Sequence, residues 1–282
     1  MPGILQQNHG YMEGVGRLRL HYRTWEVVDP EAVIVVVPGL FEHGGRYGEF
    51  GEFMAAFRFS TFALDLRGHG SSEGRRGHVS RFDVLLQDLD RFRREVQGLV
   101  PLGVPLFLLG HSMGGLIALR YLQEYDPAFA GAIVTSPWLA TAYPTPRWKV
   151  LLGNLLNRIL PAFPFSIQLD PGDLTRDPAR AADYEEDPQI HSTLTPRMFT
   201  EMSSAMEGVF RRADRIRVPM LFLLAGADSV VSTERSEAFA RSLPAQYVTV
   251  DVLEGLRHEV LQERERALVM AEVRDWISDH LD

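Results

Sequence analysis

The sequence predicts an α/β protein: a mostly parallel sheet flanked by helices, with an inserted helical segment. Three observations carry this. Val33 to Val37 is an unbroken β-branched run closed by Pro38-Gly39, as expected of a strand buried on both faces. Further short apolar runs alternate with helical patterns along the rest of the chain. Finally, nine of the 17 prolines lie between Pro137 and Pro196. Proline ends helices and is excluded from central strands, so that stretch is not more core sheet.

In chain order, Val33 to Val37 is the first predicted strand and Thr61 to Leu66 the second. Ser80 to Gly98 places Leu85, Leu89, Phe92 and Val96 at helical spacing, with Ser80 as its N-cap. Strands follow at Leu106 to Leu109, Gly131 to Thr135, Met220 to Leu224 and Tyr247 to Val252. A closing helix over Arg264 to Leu281 turns Val269, Val273, Trp276 and Ile277 inward. The change of rhythm sets the domain organisation: residues 1–136 and 213–282 form the α/β core, and residues 137–212 form a cap of short helices and loops.

Composition narrows the function. A net charge of −8 argues against a nucleic-acid partner, because phosphate recognition favours a basic surface. With no cysteine there is no disulfide, thiolate metal site or cysteine nucleophile, and no cofactor or metal is expected. Met1 to Tyr11 has no basic stretch followed by an apolar run, and no apolar run reaches a membrane-spanning length. A cytoplasmic protein, peripheral to a membrane at most, is expected.

The strongest chemical signal is Gly110-His111-Ser112-Met113-Gly114, set between a strand and a helix. Small flanking residues let the chain turn sharply and lift the Ser112 hydroxyl out of the sheet. The same turn places the Met113 N–H at a helix N-terminus, where it can donate to an oxyanion. A serine nucleophile needs a base. His258 lies just after the last strand, and Asp228 follows the strand at Met220 to Leu224, in the chain order expected of a serine–acid–histidine triad. All three sit at C-terminal strand ends, the edge where open α/β sheets form sites. The loop after Val37 offers a second oxyanion donor, the Leu40 N–H. His111 is read as packing within the turn, and Arg67 and His69 as loop anchors.

Taken together, Gly39-Leu40-Phe41-Glu42-His43-Gly44-Gly45-Arg46-Tyr47, Asp65 to Ser72, the Ser112 turn, Gly226-Ala227-Asp228 and His258-Glu259 resemble the monoacylglycerol lipase and lysophospholipase branch of the α/β-hydrolases. The likeness covers nearly the whole chain. It implies the α/β-hydrolase fold, a serine esterase of acyl glycerols or related lipids, and a mobile cap over an acyl tunnel. It also implies that Glu42, His43 and Arg46 shape the pocket near the alcohol; the residues alone read equally well as a Glu42–Arg46 ion pair. The chain departs from the family in having Pro38-Gly39 where His-Gly is usual, and in Gln262-Glu263 where Asn-Glu is commoner.

Two apolar stripes lie in the expected cap. Val150 to Leu160 carries Leu151, Leu155 and Ile159, and Met198, Met202 and Met206 recur every fourth residue. Each stripe either packs on the core or contacts substrate; Leu151, Leu155 and Ile159 are taken as tunnel-lining residues that set acyl preference. The expected partner is a small lipid ester, with transient membrane or micelle contact through the cap. Lysophospholipase and broad carboxylesterase readings stand as alternatives, ahead of acyltransferase, aminopeptidase and non-catalytic binding readings. The intact Ser112, Asp228 and His258 set argues against the last.

Overall fold

The structure, a computed structural model, describes residues 4–125, 129–144 and 146–281. Met1, Pro2 and Gly3 of the N-terminal stretch lie outside the described residues. The elements run β1 (Ile4–Glu13), β2 (Arg19–Val27), β3 (Ala32–Val37), α1 (Gly48–Ala55), β4 (Phe59–Leu64), α2 (Asp83–Leu99), β5 (Leu106–His111), α3 (Met113–Glu124), β6 (Gly131–Thr135), α4 (Arg147–Ile159), β7 (Phe165–Ser166), α5 (Pro171–Leu174), α6 (Pro178–Glu186), β8 (Thr193–Leu194), α7 (Pro196–Phe210), β9 (Met220–Ala225), α8 (Thr233–Ala240), β10 (Val248–Leu253) and α9 (Arg266–Ser278).

An eight-stranded sheet has the order β1-β2-β4-β3-β5-β6-β9-β10. β1 and β2 pair antiparallel, as do β2 and β4; every pairing from β4 through to β10 is parallel. The β-branched run in β3 is buried on both faces because each face meets a different helical layer. Val33, Val35 and Val37 point into the core shared with α2, α3 and α7, while Ala32, Ile34 and Val36 meet α1 and α9. Five consecutive apolar residues are therefore what two buried faces demand.

The predicted strands and helices recur with shifts at their ends. The second one closes at Leu64 rather than Leu66, because Asp65 turns the chain: its carboxylate accepts the Gly44 N–H at 2.7 Å and the Ser71 N–H at 2.9 Å. Ser80 is not a helix cap. α2 starts at Asp83, and the N–H of Phe82 donates to Glu201 of α7, so a carboxylate from a distant helix does that work. The β1–β2 hairpin has no counterpart among the predicted elements.

Between β6 and β9 no described residue joins the main sheet; the chain instead forms α4 to α7 and the small β7–β8 hairpin. This insertion is anchored at one side. On α7, Met198, Met202 and Val209 are fully buried in the main core, so the methionine stripe packs on the α/β domain. Arg176 pairs with Glu263 at 3.1 Å and Asp177 with Arg266 at 2.9 Å, tying the link between α5 and α6 to the start of α9 and the residues just before it.

Asp65 illustrates how polar groups hold the loops at the C-terminal edge of the parallel strands. It is fully buried, bonded to His21 at 2.8 Å as well as to the two backbone N–H groups. Burial alone would raise its pKa; the hydrogen bonds from His21, Ser71 and Gly44 override that and hold it below the ordinary value. A depressed carboxyl contributes stability above its unfolded pKa of about 3.9, and the contribution is lost as pH falls through the lower folded value. Asp65→Ala should therefore lower stability by about 3 kcal/mol near neutrality, and the gap to the unmutated protein should shrink as pH drops below about 4. Melting curves across that range test it; a gap independent of pH would contradict the assigned cause.

Candidate active site

Ser112 stands between β5 and α3 at φ 51° and ψ −115°, a conformation that L-residues adopt only when held there. The turn closes because its neighbours lack Cβ atoms. One on Gly110 would meet the Gly114 carbonyl oxygen at 2.5 Å, and one on Gly114 would meet that of Val37 at 2.0 Å. The Ser112 N–H donates to Thr135 on β6 at 3.0 Å, and its carbonyl accepts from Trp138 at 2.9 Å.

His258 and Asp228 arrive from the loops after β10 and β9. The Ser112 hydroxyl donates to His258 Nε2 at 2.9 Å, and His258 Nδ1 donates to Asp228 Oδ2 at 2.8 Å. Asp228 Oδ1 accepts the N–H groups of Val230 and Val231 at 2.8 and 2.9 Å, so the carboxylate is fixed in direction. The three side chains are buried. This is the geometry of a hydroxyl, a base and an acid that orients the base. His111 packs beside His258 with ring centres 4.9 Å apart and is bonded to Thr135 Oγ1 at 2.9 Å; burial and the neighbouring His258 push its pKa down.

Leu40 and Met113 flank the serine. Met113 is the first residue of α3, and among the described residues neither its N–H nor that of Leu40 has a protein acceptor. The approach of the two loops is close: a Cβ on Gly39 would sit 3.3 Å from Ser112 Cβ. Phe41 follows at φ 75°, its ring against His191 at 5.4 Å.

Glu42 lines the pocket, and its Oε1 accepts the Gly39 N–H and, at 3.0 Å, the Tyr47 hydroxyl. Its Oε2 accepts from Arg46 at 3.0 Å. Arg46 also donates both arms to Glu259, at 2.5 and 2.7 Å. Burial works against both charges, but mutual attraction wins: the Arg46 pKa is raised and that of Glu259 lowered. His43 donates from Nε2 to Asp187 at 2.8 Å and accepts the Gly45 N–H on Nδ1. Arg46 and His43 are thus buried anchors that do not line the pocket over Ser112; they line a separate polar cleft of about 270 Å³.

A pocket of about 340 Å³ opens over Ser112 and His258. Its apolar wall is Phe41, Trp138, Leu169, Leu174, Leu194 and Phe199. Leu151, Leu155 and Ile159 are not part of it. They are 69%, 52% and 64% exposed, facing outward on α4. The expectation of a tunnel lining on α4 is corrected: the opposite side of that helix rests on α7, where a Cβ at Gly153 would sit 3.3 Å from Phe199. The pocket-facing apolar residues come singly from the loops after β3, β6 and β7, from α5 and β8, and, with Phe199, from α7, so they carry no periodic signal.

A family model described as serine aminopeptidase, S33 matches residues 28–265. The chain is 30% identical over 289 residues to the monoacylglycerol lipase of Mycolicibacterium smegmatis, covering 100% of both proteins. It is 34% identical to the monoglyceride lipase of Rattus norvegicus, covering 89% of this chain and 84% of that one. It also spans 28% of the length of an uncharacterized abhydrolase domain-containing protein of Dictyostelium discoideum. The crystal structure of the monoacylglycerol lipase of Paleococcus ferrophilus superposes with a TM-score of 0.82 at 29% identity, covering 98% of this chain and 100% of that one.

The close approach at Gly114 has a direct consequence. Gly114→Ala should separate α3 from β3, lower the melting temperature, and slow modification of Ser112 by a fluorophosphonate at least tenfold. Labelling rates and melting curves measure both. An unimpaired variant would mean that the turn is not set by this contact.

Proposed function

The chain belongs to the serine aminopeptidase, S33 family of α/β-hydrolases, and from that premise we propose that it hydrolyses neutral acyl glycerols through an acyl-enzyme on Ser112. The observation that carries this reading is the charge of the pocket around the Ser112–His258–Asp228 chain. No Lys or Arg is among its described lining residues, so a lysophospholipid phosphate meets no cation there. Of the carboxylates lining the pocket, Glu42 and Glu259 are both paired with Arg46, while Asp170 and Asp173 stand exposed at the rim, where Asp170 caps α5 and Asp173 accepts from Ser229, so the buried end holds no unpaired carboxylate for the ammonium of an aminopeptidase substrate. An apolar wall ending at Ser112 and His258, with no cation along it, suits an acyl chain and a glycerol. The named lipases to which the chain is similar support the same substrate class.

The steps follow from the hydrogen bonds. His258 takes the Ser112 proton as the hydroxyl attacks the ester carbonyl, and Asp228 stabilises the imidazolium. The Leu40 and Met113 N–H groups receive the oxyanion. His258 then protonates the departing glycerol oxygen. Water attacks the acyl-enzyme by the same path in reverse, releasing the fatty acid.

Residues 137–212 act in this reading as a cap, with α4 as its outward, membrane-facing element. Trp148, Leu151, Leu152, Leu155, Ile159 and Phe163 form an exposed apolar surface on and beside it. Such a patch marks an interaction site rather than ordinary surface. Among the described residues no helix is long and apolar enough to cross a bilayer, so the contact proposed is a lateral one with a lipid surface.

Assays with a monoacylglycerol, a lysophospholipid and a peptide anilide test the substrate class. Turnover of the monoacylglycerol should dominate, vanish in Ser112→Ala and fall by about 10⁴ in Asp228→Asn. Preferential cleavage of the anilide would overturn the ester reading. Leu151→Glu with Ile159→Glu should weaken binding to phosphatidylcholine vesicles and slow hydrolysis of vesicle-borne monoacylglycerol, yet spare a short soluble ester. Equal loss on both substrates would remove the lipid-surface role.

A further inference from the structure

We propose that Arg46 and Glu259 are a positioning pair that locks the loop of the base to the loop of the oxyanion donor. The inference rests on the roles given above to Ser112, His258 and Leu40. It assigns to Glu259 a part in the reaction even though Glu259 transfers no proton.

The path is continuous. Glu259 directly follows His258, and Gly39 directly precedes Leu40. From Glu259, two hydrogen bonds of 2.5 and 2.7 Å reach the guanidinium of Arg46; a third, of 3.0 Å, runs from the same guanidinium to Glu42 Oε2; and Glu42 Oε1 accepts the Gly39 N–H. Each end of this chain is one residue from a group at the reacting serine. A parallel tie joins the same two loops, as Gln262 Nε2 donates to the Arg46 carbonyl at 2.7 Å. The assembly is shielded by the Tyr184 ring, 5.0 Å from the guanidinium.

A purely stabilising role explains this arrangement poorly. Two carboxylates share one guanidinium, and all three side chains are within 8% of full burial. Burying an ion pair costs so much solvation that apolar replacements are often as stable. What a planar, doubly bonded guanidinium supplies is direction: it fixes both partners in one plane, which the single ammonium of lysine does not. Hydrolysis needs that direction. The distance from His258 to Ser112 and the place of the Leu40 N–H must both be right in the same transition state, and a displacement of about 1 Å can cost about 10²-fold in rate.

The test uses the whole protein with Glu259→Gln, Glu259→Asp and Glu42→Gln, alone and with Glu42→Gln combined with Glu259→Gln. Fluorophosphonate titration counts competent sites, so kcat is expressed per site and misfolded protein drops out. Glu259→Gln should lower kcat about tenfold or more with KM changed by less than about threefold. Glu259→Asp keeps the charge and shortens the reach, so it should lose kcat while its melting temperature stays near that of the parent. Because Glu42 and Glu259 act through one arginine, the double variant should lose little more than the worse single one. Full kcat per titrated site in both Glu259 variants, losses confined to KM, or multiplicative losses in the double variant would each overturn the pairing. If the parent protein is not labelled at Ser112, the site assignment itself has failed; if it is labelled and turns over ester while the Glu259 variants match it, only the positioning pair has.

Discussion

Everything at the active edge depends on how closely α3 approaches β3. With the Gly114 Cα against the Val37 carbonyl, β5 can end in a turn tight enough to hold Ser112 at φ 51°. That turn presents the hydroxyl above the sheet and frees the first N–H of α3. The cost of the backbone strain is of order 1–3 kcal/mol, and it is met by packing on both sides of the sheet. Leu116, Ile117 and Leu119 on α3 are fully buried, as are Leu108 and Leu109 on β5. The geometry of the Ser112 turn is therefore a property of the core.

The loops that complete the site are held differently, by buried polar groups. Asp65, Glu42, Arg46 and Asp228 each bond to backbone N–H groups or to charged partners that fix a loop's path. Polar atoms are directional where apolar contacts are not. A division of labour follows: hydrophobic layers set the sheet and its helices, and buried ions and hydrogen bonds set where the loops carrying Leu40, Asp228 and His258 lie relative to one another.

Much of this was readable in the sequence, for physical reasons. A strand buried on both faces must be apolar throughout, and Val33 to Val37 has no other good explanation. The Ser112 turn needs its small neighbours, and Asp228 and His258 stand where the ends of parallel strands leave them. The β1–β2 hairpin was not readable. Its buried positions include His21 and Thr24, so polarity alternates with neither face. The apolar stripe on α4 was visible, but its destination was not: amphipathic spacing says that one side of a helix is apolar, not whether that side meets a core, a ligand or a lipid surface. The pocket wall was missed because Leu169, Leu174 and Leu194 come singly from short elements and loops.

The rim of the pocket carries Asp170 and Asp173, both exposed, with Asp173 accepting from Ser229 at 2.8 Å. On the proposed reaction, a neutral ester enters past these carboxylates and an ionised fatty acid leaves past them. Two like charges about 4 Å apart in water repel by roughly 1 kcal/mol, enough to shorten the residence of the acid several-fold without affecting the ester. In that reading the two surface aspartates oppose retention of the anionic acid, and added salt screens that opposition.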